Sequence, residues 1–433
     1  MTTELAFLAP TISLDDVDTS WLNDPDPIRA ILPGPAPQRL APQEESVPGD
    51  FDERVPSVWS EWLELSIPRR LTKPEQLTLA QLDDLSDRDF DAYNQRRNRW
   101  HANPGIIPTP QMTYIKDNLR DIVNTNHHTG EKVRGAIAID GPPGHGKSTI
   151  VNSYLMDFQA TELVKGARTP DGSERVPIIR ISLKERSTDK EIGQKMCTFL
   201  GLPTNGSSKE IHDRLLRAVK ACRTRIIFID EIQFLSMEGA SGRRMQNYFK
   251  FLANEFPVTL VFAGHGVRAA NSMLEGGARD AAREQTESRW TYLDVAPFRI
   301  DTEENRLAWW ELLLNLEDRL VLSDKYRGML SEEFADYVFA RTQGRIQSVF
   351  TLVNRAAGRA IYTGEERFSR ALLDAVKIEA VVEKNREAHL HGLRAGMFES
   401  KPSQATRAAV AAARRAERER PARRSASLER RSA

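Results

Sequence analysis

The most specific spacing for chemistry in this chain is a glycine-rich turn, Gly141–Ser148, which reads Gly-Pro-Pro-Gly-His-Gly-Lys-Ser. It matches the pattern G-x-x-x-x-G-K-[ST] and lies between an apolar run and a helical pattern, which is the context that this motif needs. Glycines let successive backbone N–H groups point at phosphate oxygens, and the following helix adds its positive dipole end. Because Pro142 and Pro143 lack an N–H, the donors must come from residues 144 to 149. The turn predicts a site for nucleotide phosphates.

Two side chains of this turn have predicted roles of their own. Lys147 is expected to reach the β- and γ-phosphates as a catalytic contact, and the Ser148 hydroxyl is expected to bind Mg²⁺. A chance match in a glycine-rich turn is the alternative, and the flanking strand and helix argue against it. The predicted nucleotide contacts of the turn are Gly141, Pro142, Pro143, Gly144, His145, Gly146, Lys147, Ser148 and Thr149.

A second pattern is an apolar run that ends in two acidic residues, Asp230 and Glu231. Asp230 is expected to bind the same Mg²⁺ as Ser148, and Glu231 to orient and deprotonate the attacking water. A strand followed by an exposed acidic turn is the alternative. Together with the glycine-rich turn, the pair predicts Mg²⁺-dependent hydrolysis of ATP to ADP and phosphate.

Three further residues could contact the nucleotide. His265 follows an apolar run, and there it either senses the γ-phosphate or belongs only to a turn. Arg289, just before the last predicted strand, could reach the γ-phosphate of a neighbouring subunit as a finger in trans. Arg279 and Arg283 are its rivals, and an ordinary surface arginine is the alternative. Arg345 begins a helix and could contact the nucleotide in cis.

The elements that must position these residues alternate in the middle of the chain. Short apolar runs without polar alternation are typical of a parallel sheet that is buried on both faces, and the helical patterns between them predict a doubly wound α/β domain. The predicted strands are Gly135–Asp140, Val176–Leu183, Arg225–Asp230, Val258–Gly264 and Tyr292–Ala296. The predicted helices between them include Ser148–Gln159, Asp189–Leu200, Lys209–Cys222 and Gly242–Glu255.

After Phe298 only helical patterns remain, which predicts a small all-α lid domain. Its predicted helices are Glu303–Leu316, Ser331–Thr342, Ile346–Thr363 and Phe368–Glu379. Asp301 and Glu304 have the spacing of a capping box for the first of these helices, and Ser331 is the expected N-cap of the second.

Composition divides the chain into five parts. Residues 1–55 are rich in proline and acidic residues and are predicted to be disordered. Residues 56–105 are predicted to be a helical docking segment, residues 106–300 the α/β nucleotide-binding domain, and residues 301–382 the lid. Residues 383–433 are predicted to be a basic, mostly disordered tail. A helix near 405–420 would have no apolar face to bury.

The formal net charge of the 433 residues is zero, but the charge is distributed unevenly. The first 54 residues hold 11 acidic and three basic side chains, and residues 401–433 hold 10 basic and three acidic ones. Such a basic tail either adds sequence-independent affinity for phosphate backbones or is simply solvated. Two cysteines exclude a disulfide scaffold, and the absence of a signal peptide or a long apolar run favours a cytoplasmic protein without membrane contact.

The combination of these motifs resembles an AAA+ ATPase, and within that superfamily the TniB/TnsC group of transposition regulators. The resemblance spans about residues 105–380, and it includes Thr109-Pro110-Gln111, the run Ile229–Leu235 and the run Gly344–Ile361. Family members often have His-Asn where Ile232-Gln233 stands, Thr or Ser in place of His265, and Phe in place of Trp290. These departures affect the sensor and finger residues more than the glycine-rich turn.

The resemblance implies ATP-dependent self-association into rings or filaments on duplex DNA, contact with a DDE-type transposase, and a role in target-site selection. Cationic residues in two loops are candidate phosphate contacts, with solvated charged loops as the alternative. These DNA-contact candidates are Lys184, Arg186, Lys190, Arg243 and Arg244.

Two other functions remain open from the sequence. One is a different AAA+ DNA-handling ATPase, such as a helicase loader or an initiator, although no winged-helix pattern is recognisable after the lid. The other is a nucleotide-switched signalling or scaffold ATPase whose tail binds protein. Negligible turnover would distinguish the second from the ATPases.

Overall fold

The computed structural model of the chain describes residues 56–66, 72–103, 105–127, 134–185, 187–234, 239–267 and 290–419. The acidic segment 1–55 and the end of the basic tail lie outside these residues. The described strands form one five-stranded sheet in the order β2-β3-β4-β1-β5. The strands are β1 (Ala136–Asp140), β2 (Ile178–Ser182), β3 (Ile226–Asp230), β4 (Thr259–Gly264) and β5 (Trp290–Asp294).

The sheet has the predicted parallel arrangement in its centre. β2 pairs with β3, β3 with β4 and β4 with β1, all parallel. All residues of β3 and β4 are buried, which explains why their sequences are apolar without alternation. The fifth strand begins at Trp290, two residues earlier than predicted. The Trp290 ring stacks on Phe262 of β4 with centroids 4.7 Å apart.

Fifteen helices are described along the chain, and those between the strands lie where the sequence predicts them. The first eight are α1 (Trp59–Ser66), α2 (Leu79–Asp83), α3 (Asp87–Ala102), α4 (Pro110–Thr125), α5 (Lys147–Leu163), α6 (Asp189–Phe199), α7 (Ser208–Ala221) and α8 (Gly239–Glu255). The remaining seven are α9 (Glu303–Arg319), α10 (Ala335–Thr342), α11 (Ile346–Thr363), α12 (Arg370–Ala375), α13 (Ala380–Glu383), α14 (Arg386–Arg394) and α15 (Gln404–Glu419).

Contacts divide the chain into two compact units. Among the described residues, the first unit contains those within 56–66, 118–140 and 151–293, and the second contains those within 72–117, 141–150 and 294–419. The sheet and the helices α6 to α8 therefore belong to the first unit. The glycine-rich turn, predicted as part of the α/β domain, groups by its contacts with the helical second unit.

The second unit has one apolar core, which is built mainly from α9 to α12 around the fully buried Trp309. Two capping predictions are wrong here. Thr302 caps α9 by accepting the N–H of Asn305, in place of a box between Asp301 and Glu304. Ser331 is no N-cap, because its hydroxyl donates to Glu317 from within a π-helical turn.

The last predicted lid helix, Phe368–Glu379, is shorter in the structure. Ser369 caps α12 by accepting the N–H of Leu372, and Val376 at the C-terminal cap adopts an extended conformation. Arg341 stabilises this break, because its guanidinium donates to the carbonyls of Leu373 and Val376. The backbone carbonyls released by the short helix are thus satisfied by a buried side chain.

The predicted docking segment 56–105 divides between the two units. In the first unit, the buried Trp62 of α1 donates its indole N–H to Gln159. In the second unit, Arg97 of α3 is fully buried and makes two hydrogen bonds to Glu366, at 2.6 and 2.9 Å. His101 accepts the N–H of Val321 at 3.0 Å. Trp62, Arg97 and His101 of this segment therefore have structural roles.

The prediction of a mostly disordered tail from residue 383 onward differs from the structure, which has α14 and α15 there. In α15, Val410 and Ala411 are half-buried, and the helix is held by polar contacts with acidic side chains of its own unit. Arg407 pairs with Glu332, and Arg414 pairs with Asp318 at 3.4 Å. No helix in the described residues is both long and apolar enough to cross a membrane.

Candidate functional site

The glycine-rich turn directly follows the last residue of β1 and runs into α5. Gly144 and Gly146 adopt φ values of +78° and +85°, which glycine tolerates far better than other residues. Gly141 is required for a different reason, because a Cβ there would lie 2.3 Å from the carbonyl oxygen of Val295. The conformation explains why the motif has glycine at these places.

Lys147 is the first residue of α5, and its side chain folds back over the turn. The ammonium donates to the carbonyl oxygens of Gly141 at 2.7 Å and Pro142 at 2.9 Å. Ser148 is the second residue of the helix. A cation that leans over a turn at a helix N-terminus places positive charge where anions bind.

A cavity of about 390 Å³ lies beside this turn within the second unit. Its size is in the range of small-molecule and cofactor sites, and its walls are mainly apolar with a few polar groups. Four short stretches line it: 105–112, 144–150, 296–298 and 346–350. Such walls suit the faces of a planar base.

Helix α11 contributes to this cavity through its first turn. The Gln347 N–H donates to the Gly144 carbonyl oxygen at 3.1 Å. Arg345 is the N-cap residue of α11, and its charge lies close enough to help lower the pKa of His145. The structure thus brings the predicted cis arginine near the glycine-rich turn.

His145 is buried inside the turn. Desolvation by burial is the main cause that lowers the pKa of its imidazole. The Nδ1 atom lies 3.1 Å from the carbonyl oxygen of Pro142 and 3.0 Å from that of Pro143, so we assign the proton to Nδ1. The neutral ring therefore stabilises the two-proline part of the turn.

Asp230 ends β3 in the first unit, at the edge of the sheet where the parallel strands have their carboxyl ends. Its side chain is buried, and Arg180 of β2 approaches it with an Nη2–Oδ2 distance of 3.7 Å. Arg180 also donates from Nε to Asn152 Oδ1 at 3.0 Å. A second carboxylate at this edge belongs to Asp140, the last residue of β1, and it accepts the Gly266 N–H at 2.7 Å.

Glu231 has an unusual backbone conformation with φ of +61°. A non-glycine residue with positive φ costs free energy, and such residues cluster at functional sites. The turn is fixed by the Glu231 N–H, which donates to Asp230 Oδ1 at 3.0 Å. Gln233 donates to the Glu231 carboxylate, and its Oε1 accepts the backbone N–H of His265 at 3.1 Å. Gln233 therefore links Glu231 to the end of β4.

Residues 130–271 match the family model described as "AAA domain". The match includes the glycine-rich turn and the strand that ends in Asp230 and Glu231. The chain contains an AAA-type P-loop ATPase domain.

Solved structures of low sequence identity also match this chain. Cdc6p from Pyrobaculum aerophilum is 17% identical, with a TM-score of 0.45, 62% of this chain covered and 67% of that one. The Aeropyrum pernix Orc1 protein in complex with DNA is 20% identical, with a TM-score of 0.43 and coverages of 68% and 72%. Drosophila ORC bound to DNA is 12% identical, with a TM-score of 0.45 and coverages of 67% for both. A comparison with curated proteins found no match.

Two residues of the ATPase domain that the sequence reasoning missed are Arg180 and Gln233. Arg180 is a charged residue inside the apolar strand β2, and such a residue in a buried strand is a signal in itself. Gln233 stands where the resembled family often has another polar residue, but its contact with Glu231 depends on a short turn. Neither contact follows from spacing alone.

Other predicted residues of the ATPase domain lie apart from these groups or outside the described residues. Arg279, Arg283 and Arg289 lie outside the described residues, as do Arg186 and the side chain of Arg243. His265 is exposed, and its described contact is through its backbone. Lys184 and Lys190 are exposed near the start of α6, where Asp189 pairs with Arg244 at 3.2 Å.

Proposed function

We propose that this protein binds ATP with Mg²⁺ and hydrolyses it to ADP and phosphate. The observation that carries the proposal is the glycine-rich turn, with two left-handed glycines and Lys147 folded over it, beside an apolar cavity of about 390 Å³. Phosphates fit the turn and a base fits the cavity. Arg345 lies near the turn and would add positive charge to the nucleotide in cis.

The chemistry of the donors fits Mg²⁺, which prefers oxygen ligands. The Ser148 hydroxyl and the buried Asp230 carboxylate would hold the ion. When bound, Mg²⁺ neutralises phosphate charge. Glu231 would orient the attacking water and accept its proton. The hydrogen bond from Gln233 and the fixed backbone at φ +61° restrain the Glu231 carboxylate for this task.

We further propose that the ATPase self-associates on duplex DNA and regulates transposition by target selection and by contact with a DDE-type transposase. The support is the sequence resemblance to the TniB/TnsC group. Arg289 is the proposed trans finger between subunits. Exposed Lys184 and Lys190, together with Arg186, Arg243 and Arg244, are the proposed contacts with the phosphate backbone.

The test is association of the purified protein with labelled duplex DNA at low salt, with ATP, with ADP and without nucleotide, alongside the ATPase rate. We expect ATP to promote assembly and DNA to raise the ATPase rate. Lys147→Ala should abolish both effects, and Lys209→Ala, which changes an exposed lysine in the first turn of α7, should change neither. DNA association that does not depend on ATP would contradict the proposal of assembly, and wild-type ATP binding by Lys147→Ala would contradict the nucleotide site.

The transposition role needs its own measurement. A purified transposase of the proposed class should bind the protein only in its ATP-bound assembled state, and DNA insertion by that transposase should depend on the ATPase. If the protein loads a helicase and leaves insertion unchanged, the alternative DNA-handling function is correct.

A further inference from the structure

The first unit has a basic cleft at the edge of the sheet opposite to Asp230. It surrounds the amino ends of the strands, because Thr259 begins β4 and Arg225 directly precedes β3. Its volume is about 590 Å³. We call it the amino-edge cleft, and six cationic side chains line it. They are Arg134, Lys165, Arg175, Lys220, Arg223 and Arg225.

One carboxylate, Glu162, is found among the residues that line the cleft. Its side chain is 6% exposed, and it pairs with Arg225 at 3.1 Å and with Lys165 at 2.7 Å. Arg225 and Lys165 therefore serve partly to neutralise a buried charge. Removing a partner of a buried charge destabilises the fold. Arg225 and Lys165 therefore have a structural role, and variants at these two positions would not test ligand binding alone.

The other cations of the cleft are not neutralised in this way. Arg134 and Lys220 have no acidic partner among the described residues, and Lys220 is exposed. The Arg175 guanidinium donates to the Gly166 carbonyl oxygen at 2.8 Å. Arg223 has an acidic partner, Asp171, but both side chains are more than half exposed, at 53% and 66%. An exposed ion pair of this kind contributes little and is readily exchanged for another anion.

The cations of the cleft affect the titration of a neighbouring histidine. His127 lines the cleft and is exposed, yet the pKa of its imidazole is lowered, and the charge of Arg225 is the first cause. Burial contributes second, and the charges of Lys165 and Arg134 act in the same direction, while Glu162 opposes them. The cations around His127 outweigh the nearby carboxylate.

Helix ends explain part of this charge but not all of it. Cations near the C-termini of helices are stabilised by the helix dipole, and Lys165 and Lys220 follow or end α5 and α7. Arg134 lies just before β1 and has no such helix end. The helix dipole therefore does not account for the position of Arg134.

We propose that the amino-edge cleft binds the phosphate backbone of a nucleic acid. The cations belong to several separate stretches of chain and line a wide cleft, an arrangement that fits a run of phosphates better than one small anion. The proposal rests on the DNA association proposed above, and it adds a contact surface in a different part of the first unit from Lys184, Lys190 and Arg244. Contacts of this kind are independent of base sequence.

The test compares the double variant Arg134→Ala/Lys220→Ala with Lys209→Ala/Arg217→Ala, which removes two exposed cations from α7 that do not line the cleft. Affinity for a labelled DNA duplex is measured between 50 and 200 mM salt. Loss of two phosphate contacts should lower the slope of log K against log salt by about 2 and should weaken binding about tenfold. The control variant should match the wild type.

Two further readouts separate the possible outcomes. ATPase activity without DNA and the thermal unfolding midpoint should be unchanged in the Arg134→Ala/Lys220→Ala variant, because neither residue has a buried partner. If the wild type binds DNA and this variant binds it equally, the cleft proposal is wrong while the proposed function stands. If the wild type binds no DNA at low salt, the proposed DNA association fails and the cleft proposal with it.

Discussion

Different charged side chains lie at the two ends of the strands in the same sheet. At the carboxyl ends of the strands lie Asp140, Asp230 and Glu231, with the buried Arg180 beside them. At the amino ends lies the amino-edge cleft, with six cationic side chains and a single buried carboxylate, Glu162. Both edges belong to one compact unit of the chain, so the contrast does not depend on how the units are arranged.

The contrast suggests two ways in which the two ends of one sheet can take part in phosphate binding. Carboxylates repel phosphates, so the acidic edge suits a metal ion and an activated water. In our proposal, the cationic side chains of the basic edge bind phosphates directly, and this binding does not require one fixed geometry. We therefore expect ATPase activity to change strongly when a single functional group of the acidic edge is replaced. We expect DNA affinity at the basic edge to depend on the net charge of the cleft and on the salt concentration.

The strongest test of the acidic edge is Glu231→Gln. It keeps the size of the side chain and removes the base, so kcat for ATP should fall by about 10²–10⁴-fold while ATP binding persists. The protein should then remain assembled on DNA in the presence of ATP. Steady-state ATPase assays and nucleotide binding measure the two quantities.

The matched control for this variant is Glu185→Gln, an exposed acid that follows β2. It should leave kcat unchanged. If Glu231→Gln hydrolyses ATP at the wild-type rate, Glu231 is not the base, and the protein fits the open alternative in which the nucleotide is only a structural switch.

A smaller effect is expected from Arg180→Met at the same edge. Arg180 is a positioning residue in our account, because it holds Asp230 from β2 while its Nε bonds to Asn152. Loss of a residue that orients a metal ligand typically costs about 10–100-fold in metal affinity or activity. We expect the Mg²⁺ concentration for half-maximal ATPase activity to rise more than the KM for ATP.

Two further variants serve as controls for Arg180→Met. Arg180→Lys keeps the charge and should recover part of the Mg²⁺ affinity, whereas Arg217→Met, an exposed arginine on α7, should have no effect. The Arg180 guanidinium carbon also lies 6.0 Å from the centroid of the Phe228 ring. An unchanged Mg²⁺ dependence in Arg180→Met, with the same unfolding midpoint, would limit Arg180 to packing against that ring.

The sequence predicts the acidic edge better than the basic one for a physical reason. The glycine-rich turn and the strand ending in Asp230 and Glu231 are each contiguous, so periodicity and motif spacing expose them. Arg180 acts across strands, because β2 pairs with β3 in a register that sets Ser182 opposite Asp230. That register is not visible in either strand alone.

The amino-edge cleft and the C-terminal helix were harder to predict. The cleft collects cations between Arg134 and Arg225 from loops and helix ends that meet only after folding. α15 is held by Arg407 and Arg414 against Glu332 and Asp318, and hydrophobic periodicity carries no signal of such polar contacts. The acidic segment and the trans finger stay predictions, because they lie outside the described residues.

The smallest effect that we predict is a change in the titration of His127. Its pKa is lowered chiefly by the charge of Arg225, so His127 should be neutral at pH 7 and add no charge to the amino-edge cleft. Arg225→Met should raise that pKa toward the ordinary value for histidine, and NMR titration of the imidazole measures it. Arg217→Met is the control, since that arginine does not line the cleft.

The sign of this titration also decides how the cleft should respond to pH. Because the pKa is lowered, His127 gains its proton only as the pH falls below the usual histidine range, and protonation then adds positive charge to the cleft. Duplex binding by the wild type should therefore strengthen as the pH falls. In a folded Arg225→Met variant, this strengthening should begin at a higher pH than in the wild type. An imidazole that titrates identically in Arg225→Met and the wild type would show that burial, not the cationic field, lowers its pKa, and the contrast between the two edges would lose that support.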